Sequence, residues 1–282
     1  MADIGFAKSA GQQMVDRIYG AIEKEEKRDL YLARIGASGI GEPCLRSLWY
    51  SWRAYDDKQF GGRMLRLFGT GHWQETRVIE DLRRAGFSTW DFDEDGKQFT
   101  YTDETGHFVC KLDGVIKDVP GAEKTPHDLE IKSHNKKSFE ELKKKGVQEA
   151  KPLHYWQMQA GMKFSGLPRA LYVAVCKDDE DYHIERIYPD EAVQDEVSVK
   201  INKLVEARIA PIGISADGKS FGCKWCDFKE VCTGEKEPLR TCRSCVNCVP
   251  LKQNGEWLCE LHGSILSNNE QKEACDNYEV LR

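Results

Sequence analysis

The chain has 282 residues, of which 31% are charged and 40% hydrophobic, the balance of a globular rather than a disordered protein. Its 41 Lys and Arg against 47 Asp and Glu leave a formal net charge of −6. This argues against a surface that wraps nucleic acid all round, and leaves room for a local basic groove. The longest apolar run, Ala170 to Cys176, is far shorter than the roughly 20 residues that span a bilayer. The opening Met-Ala-Asp-Ile-Gly shows no basic-then-apolar export pattern, so a cytoplasmic protein without a membrane partner is expected. In that setting eleven cysteines point to metal rather than to a disulfide framework.

In chain order, residues 11–34 read as a helix with Met14, Ile18, Ile22 and Leu30 on one face, and Cys44 opens a short helical run through Trp49. A longer amphipathic helix covers 63–85 and stops at Gly86. Short strands are predicted at Phe87 to Phe92, Gln98 to Thr102, His107 to Ile116 and His127 to Ile131. Helices near 137–145 and 153–165, strands near 169–176 and 182–188, and a helix at 190–208 follow. Helices, then strands, then alternating elements predict an α/β (α+β) core with a mixed central sheet flanked by helices. Cys110 and Cys176 sit in apolar strands and read as small buried residues. The composition changes near Ala210-Pro211, where a cysteine-rich tail begins.

Glu130 and Lys132 lie two apart on a predicted strand and so share a side, with Leu129 and Ile131 turned into the core. Asp113 ends an apolar strand just before Gly114, where it can reach the same point. A few carboxylates suit Mg²⁺, which keeps several waters and takes a substrate phosphate, the arrangement that phosphodiester hydrolysis uses. A lysine beside them can stabilise the charge that develops on the phosphate. By spacing alone, Asp-Gly after a strand is also a turn, and Glu-x-Lys also a solvated strand face.

At these residues the chain resembles the PD-(D/E)xK nuclease superfamily, in its RecB-like exonuclease branch with the phage-encoded members and the CRISPR-associated iron–sulfur exonucleases. The resemblance spans residues 35 to 235 and implies a restriction-endonuclease-like core. Gly71-His72-Trp73-Gln74-Glu75 matches the first acidic motif and implies Glu75; Leu112-Asp113-Gly114 implies Asp113; Glu130-Ile131-Lys132 implies Glu130 and Lys132. His154-Tyr155-Trp156-Gln157 matches the helix whose glutamine contacts the site, implying Gln157. The chain departs from the pattern at Gly161, where the branch commonly has Tyr, and at Leu112, where the superfamily's proline stands. The resemblance implies Mg²⁺ or Mn²⁺ on Glu75, Asp113 and Glu130, water activation assisted by Lys132, and DNA as substrate, single-stranded ends above all. The lysines between Lys132 and Lys151 can supply phosphate contacts, and Trp73, Tyr155 and Trp156 are candidate stacking surfaces that more often prove to be core.

The tail carries two cysteine groups. Cys223, Cys226 and Cys232 form C-x2-C-x5-C, three thiolates on a compact loop that need a fourth ligand from elsewhere. In the resembled iron–sulfur exonucleases that cysteine lies upstream of the nuclease motifs, which implies Cys44. Four thiolates suit a [4Fe–4S] cluster or zinc, and the resemblance favours iron–sulfur. Further on, Cys242-x2-Cys245 and Cys259-x2-His262 flank a hairpin at Asn254-Gly255, a zinc-ribbon pattern. The fourth zinc ligand is His262 or Cys275, and similarity to C-terminal modules of phage nucleases favours Cys275. These readings divide the chain into a nuclease domain, 1–235, and a zinc-ribbon-like module, 236–282. The expected activity is a metal-dependent DNA exonuclease in phage recombination, replication or degradation. The alternatives are a DNA-binding subunit of a recombination or CRISPR-adaptation assembly, working with a partner protein and cleaving little, and an endonuclease.

Overall fold

A computed structural model describes residues 8–26, 32–57 and 59–282. Helix α1 (Ala10–Glu25) is capped by Ser9, whose side chain accepts from the Gln12 amide. It ends earlier than the apolar spacing predicts, and Leu30 lies outside the described residues. Strand β1 (Ile35–Gly36) and a 3-10 turn at Ala37–Gly39 lead to α2 (Leu45–Trp52) and the long α3 (Gly62–Arg84).

The stretch expected to be one strand over 107–116 is two. After β2 (Thr89–Trp90) and β3 (Thr100–Thr102), β4 (Phe108–Lys111) stops at Leu112 and β5 (Gly114–Ile116) restarts in a different sheet. The Leu112 amide bonds Phe99 O while the Asp113 carboxylate accepts from the Ile131 amide, so the chain turns from one sheet to the other at Asp113. Strand β4 lies between β1 and β3. The main sheet has the order β2-β5-β6-β7-β8, with β6 (His127–His134), β7 (Ala170–Cys176) and β8 (Tyr182–Ile187). Only β6 and β7 pair in parallel there, joined through α4 (Lys136–Ala150) and α5 (Pro152–Ser165), the crossover that parallel neighbours require. Helix α6 (Glu191–Glu206), capped by Asp190, closes this part of the fold.

Both faces of the main sheet are covered. Val78, Ile79 and Leu82 of α3 pack on Leu129, Ile131, Leu171, Val173 and Val175. On the opposite face Phe139, Leu142, Tyr155 and Met158 of α4 and α5 pack on Tyr172, Ala174 and Cys176. Cys110 and Cys176 are both buried strand residues, as their apolar neighbours suggest. Among the described residues no helix is long and apolar enough to cross a membrane.

The cysteine-rich tail contributes α7 (Lys229–Thr233), a small antiparallel sheet of β9 (Cys248–Pro250), β10 (Trp257–Cys259) and β11 (Ser264–Ile265), and α8 (Asn268–Lys272). Its buried Trp257, Leu266 and Leu281 belong to the same apolar cluster as Trp49, Trp52 and Phe108. The β9–β10 turn also seats directly on the β3–β4 turn. The Gly255 amide donates to Thr105 O at 2.8 Å, and a Cβ on Gly106 would stand 2.4 Å from Gly255 N.

Gly106 therefore has two reasons to be glycine: a left-handed φ of +73° and backbone pressed against it. Gly121 has a similar φ of +75° with open space around it. Gly106→Ala is expected to cost about 2–4 kcal/mol of stability, as overpacking is added to the left-handed penalty. Gly121→Ala is expected to cost about 1–2 kcal/mol from the backbone alone. Urea unfolding of the two variants beside the parent reads the difference.

Candidate active site

Strand β6 presents Asp128, Glu130, Lys132 and His134 on one face, at the two-residue spacing that puts side chains on the same side. Glu130 is 1% exposed, so this face is interior, not solvated. The Lys132 ammonium makes a short ion pair with Glu130 and lies 3.7 Å from Asp113 Oδ2. The Ile131 amide donates to that same Asp113 oxygen at 2.8 Å, which ties the β4–β5 turn to β6. From α5, Gln157 Nε2 donates to Glu130 Oε2 at 3.0 Å. Glu75, half-buried on α3, completes the group from the other side of the sheet. Burial raises its pKa, the Asp113 charge raises it further, and Lys132 and His72 pull it back. The structure thus brings Asp113, Glu130, Lys132 and Gln157 into contact and sets Glu75 within reach of their charge.

The electrostatics follow from crowding carboxylates out of water. Burial pushes Glu130 up to about 8, with Lys132 opposing and Asp113 adding to the rise. Burial acts to deprotonate Lys132, but Glu130 and Asp113 outweigh it, so its ammonium is held charged above the ordinary lysine range. Among the described residues no three His, Cys, Asp or Glu side chains are drawn together closely enough to hold a metal ion, and at this end of the sheet the Lys132 ammonium is the cation touching both acids. The donor chemistry nonetheless fits a hard divalent cation: Glu75, Asp113 and Glu130 lie within reach of one another's charge, and Asp113 faces an open pocket of about 430 Å³ lined also by Gln157, Ser51, Gln98 and Lys111.

Two groups at the site escaped the sequence reading. Asp128 is 1% exposed, and neither carboxylate oxygen has a hydrogen-bond partner. Burial, then Glu130 and Asp113, hold it well above the usual carboxylate range. A Cβ on Gly161 would sit 2.1 Å from Asp128 Oδ2, so the glycine leaves the space this side chain fills. Beyond Lys132, His134 Nε2 and His154 Nδ1 both bond Tyr172 Oη, at 2.9 and 2.7 Å, and His134 Nδ1 bonds Ser138 Oγ at 3.1 Å. This trio pins α5 to β6 and β7 one turn before Gln157. The alternation of polar residues from Asp128 to His134 was the available signal, and it runs three residues past the predicted strand end.

The surrounding expectations fare variously. Trp73 is 61% exposed while Tyr155 is buried and Trp156 partly so, two core residues out of three. The lysine-rich helix is largely neutralised at home. Lys136 pairs with Asp179 and Glu140, Lys143 with Asp181 and Glu140, and Lys145 with Glu141 and Glu149.

Away from this site, Cys44, Cys223, Cys226 and Cys232 line one tight pocket. Their sulfurs have polar neighbours: Arg46 Nη1 donates to Cys232 Sγ at 3.5 Å, Ser220 Oγ to Cys223 Sγ at 3.2 Å, and Cys226 Sγ lies 3.8 Å from Ser47 Oγ. Donors aimed at sulfur suit thiolates that carry charge. Cys242, Cys245, Cys248, Cys259, His262 and Cys275 line a second, wider pocket.

No family model matches the chain, and no curated protein matches it. Solved structures similar to it include an alkaline exonuclease, LHK-Exo, from Laribacter hongkongensis, with a TM-score of 0.42 and 20% identity over 67% of this chain and 91% of that one. LHK-Exo in complex with dAMP gives 0.46 and 19% over 67% and 89%. A protein described as SSO0001 gives 0.42 and 13% over 80% and 98%.

Two outcomes follow from the buried groups. Gly161→Ala is expected to cost about 1–3 kcal/mol by overpacking. Much of this loss should disappear in a chain that also carries Asp128→Ala, a coupling read from a urea double-mutant cycle. Burial holds His134 down at about 4, so the unfolded chain takes up its proton first as pH falls. The stability His134 confers is full above about 6.5 and declines as pH falls toward 4, by about 3 kcal/mol at the lower end. Glu130 acts in the opposite sense, its contribution present below 4.5 and lost as pH rises through about 8. The His134→Asn variant, compared with the parent in urea titrations at pH 7 and pH 4.5, should therefore show the flatter acid limb.

Proposed function

We propose that this chain is a metal-dependent deoxyribonuclease of the PD-(D/E)xK, RecB-like kind, an exonuclease that hydrolyses phosphodiester bonds from DNA ends, single-stranded ends preferentially. The observation that carries the reading is the meeting of Glu75, Asp113, Glu130 and Lys132, from three different elements, at one buried end of the main sheet beside an open pocket. Mg²⁺ or Mn²⁺ held by Glu75, Asp113 and Glu130 supplies charge stabilisation at the scissile phosphate and lowers the pKa of a bound water.

The chain's own groups do the positioning. Gln157 fixes Glu130 through Oε2, and the Ile131 amide fixes Asp113, so neither carboxylate swings when its neighbour changes charge. Lys132 brings a permanent positive charge to the point where negative charge grows on the phosphate, inside a water-poor site where such a charge is worth most. His134, Tyr172 and His154 keep α5, and with it Gln157, in register with β6.

The same reading assigns Cys44, Cys223, Cys226 and Cys232 to a [4Fe–4S] cluster, with zinc as the alternative, and Cys242, Cys245, Cys259 and Cys275 to zinc, with His262 as the alternative fourth ligand. Both would brace the nuclease domain of residues 1–235 and the module of residues 236–282, in a phage-encoded enzyme of DNA recombination, replication or degradation.

The test is digestion of end-labelled single-stranded DNA by anaerobically purified protein with Mn²⁺. Linear strands should be degraded and covalently closed circles spared, and Glu130→Ala and Lys132→Ala should each lower the rate at least about a hundredfold. A parent protein that retains DNA on a gel but leaves every substrate intact overturns the catalytic reading in favour of a binding module.

A further inference from the structure

A strand of DNA needs cations along its path, and the lysines of α4 are largely paired with acids of their own surroundings. The loop that carries the first cysteine group offers another source. Residues 219 to 229 read Lys-Ser-Phe-Gly-Cys-Lys-Trp-Cys-Asp-Phe-Lys, three lysines against one aspartate in a chain whose net charge is −6. Phe221 is 84% exposed and Trp225 77%, in a fold that buries Trp49, Trp52 and Trp257. The Lys224 ammonium lies 5.2 Å from the Trp225 ring centroid. Lys219 has an acid beside it, Asp217 at 3.2 Å, but among the described residues neither Lys224 nor Lys229 pairs with a carboxylate.

These side chains stand on an anchored loop. Cys223, Cys226 and Cys232 face the pocket that they share with Cys44. Helix α2 holds the loop at several points: Arg46 Nε donates to Pro211 O at 2.6 Å, Arg46 Nη1 donates to Cys232 Sγ at 3.5 Å, and Cys226 Sγ lies 3.8 Å from Ser47 Oγ. A Cβ on Gly222 would stand 2.7 Å from Ile214 Cδ1, so the turn between the two aromatics is pressed against the preceding segment. The other end of α2 carries Ser51 into the pocket beside Asp113. The loop and the acidic pocket thus sit at opposite ends of one short helix, about 12 Å apart along its axis.

Exposed rings with unpaired lysines beside them match both parts of a single strand. Each unpaired base offers a face to stack on a ring, and each phosphate offers a charge to an ammonium. A protein partner would favour rings without free lysines among them, because lysine is depleted at protein interfaces. Resting on the nuclease reading, we propose that Phe221 and Trp225, with Lys224 and Lys229, form a second contact for single-stranded DNA, one α2 length from the acidic site. Bases away from the cut stack on the two rings while the strand's end lies beside Asp113. The contact takes any sequence, since every base has a face to stack. It adds affinity only for strands long enough to reach both ends of α2, because for those the second engagement is intramolecular.

Binding of end-labelled oligothymidylates of about 4 and about 20 nucleotides to the full-length chain, without added divalent cation, tests the contact. Trp225→Ala and Phe221→Ala should each weaken binding of the longer strand about tenfold, and the affinity gained on lengthening the strand should shrink by the same factor. Trp225→Tyr, which keeps a ring, should stay near the parent. Lys224→Gln should lower the slope of log Kd against log salt by about 0.7. Both rings point into solvent, so the alanine variants should unfold at the parent's urea midpoint, which separates a lost contact from a lost fold. Should Trp225→Ala not fold, Phe221→Ala carries the comparison. Parent-like binding of the longer strand in the alanine variants overturns the proposal and leaves the patch to a protein partner, and a loss equal at both lengths overturns it too. The nuclease reading fails separately: a parent that binds with this length dependence yet never cleaves linear DNA keeps the contact and loses the enzyme.

Discussion

Lys132 and Glu130 meet where water is scarce, Glu130 buried and Lys132 partly so, and the packing around them follows from holding an ammonium against a carboxyl there. Removing either partner alone strands the other, which costs far more than the pair contributes. Each remaining hydrogen-bonding position is accordingly supplied by a different element: Gln157 from α5 on Glu130, Asp113 from the β4–β5 turn beside the ammonium, and the Ile131 amide on Asp113. The polypeptide leaves one sheet and enters another at Asp113, so the site and the change of sheet are one structural event.

That arrangement requires two faces of the sheet to be sealed. Leu129 and Ile131 are held by α3, the helix that also delivers Glu75. On the other face α5 lies close enough that Gly161 makes way for Asp128. Asp128 extends the acid group with a carboxyl that has no donor of its own, and the His134–Tyr172–His154 trio closes the row at its other end with neutral imidazoles. Lys132, held charged, thus stands between two carboxyls that burial pushes toward their neutral form and two imidazoles that burial holds in theirs.

The acidic group was legible through the resemblance of its motifs more than through spacing. A period of two put Glu130 and Lys132 on one side of a strand and the apolar pattern gave the helix that bears Glu75, but neither separates a buried site from a solvated face. What local pattern does not carry is where one strand becomes two. Residues 107–116 read as continuous, yet the Asp113 carboxylate is satisfied by an amide 18 positions on, a long-range bond with no local signature. The lysine run shows the converse limit of local pattern. Asp179 and Asp181, which pair with Lys136 and Lys143, come from the β7–β8 turn, about one crossover away, so folding reduces an excess of charge that the run alone displays. Asp128 was hidden because a buried carboxyl without a partner contradicts the ordinary rule for polar groups, and such contradictions concentrate at functional sites.

The tail follows the same electrostatic logic with the opposite sign. Trp49, Trp52 and Trp257 enclose Arg53 as apolar walls enclose Glu130, and in both places the fold gains order from a charge it cannot hydrate. The difference lies in the partner. Glu130 has its lysine two residues away on the same strand. Arg53 has instead the carbonyls of Arg243 and Cys248 and the faces of three tryptophans. Both carbonyls and Trp257 come from the cysteine-rich tail, so the tail is joined to α2 through hydrogen bonds as well as through apolar contact. Helix α2, with Cys44 as its N-cap, carries Ser51 into the pocket beside Asp113. Its eight residues thereby run from the pocket lined by Cys44, Cys223, Cys226 and Cys232 to the one beside Asp113.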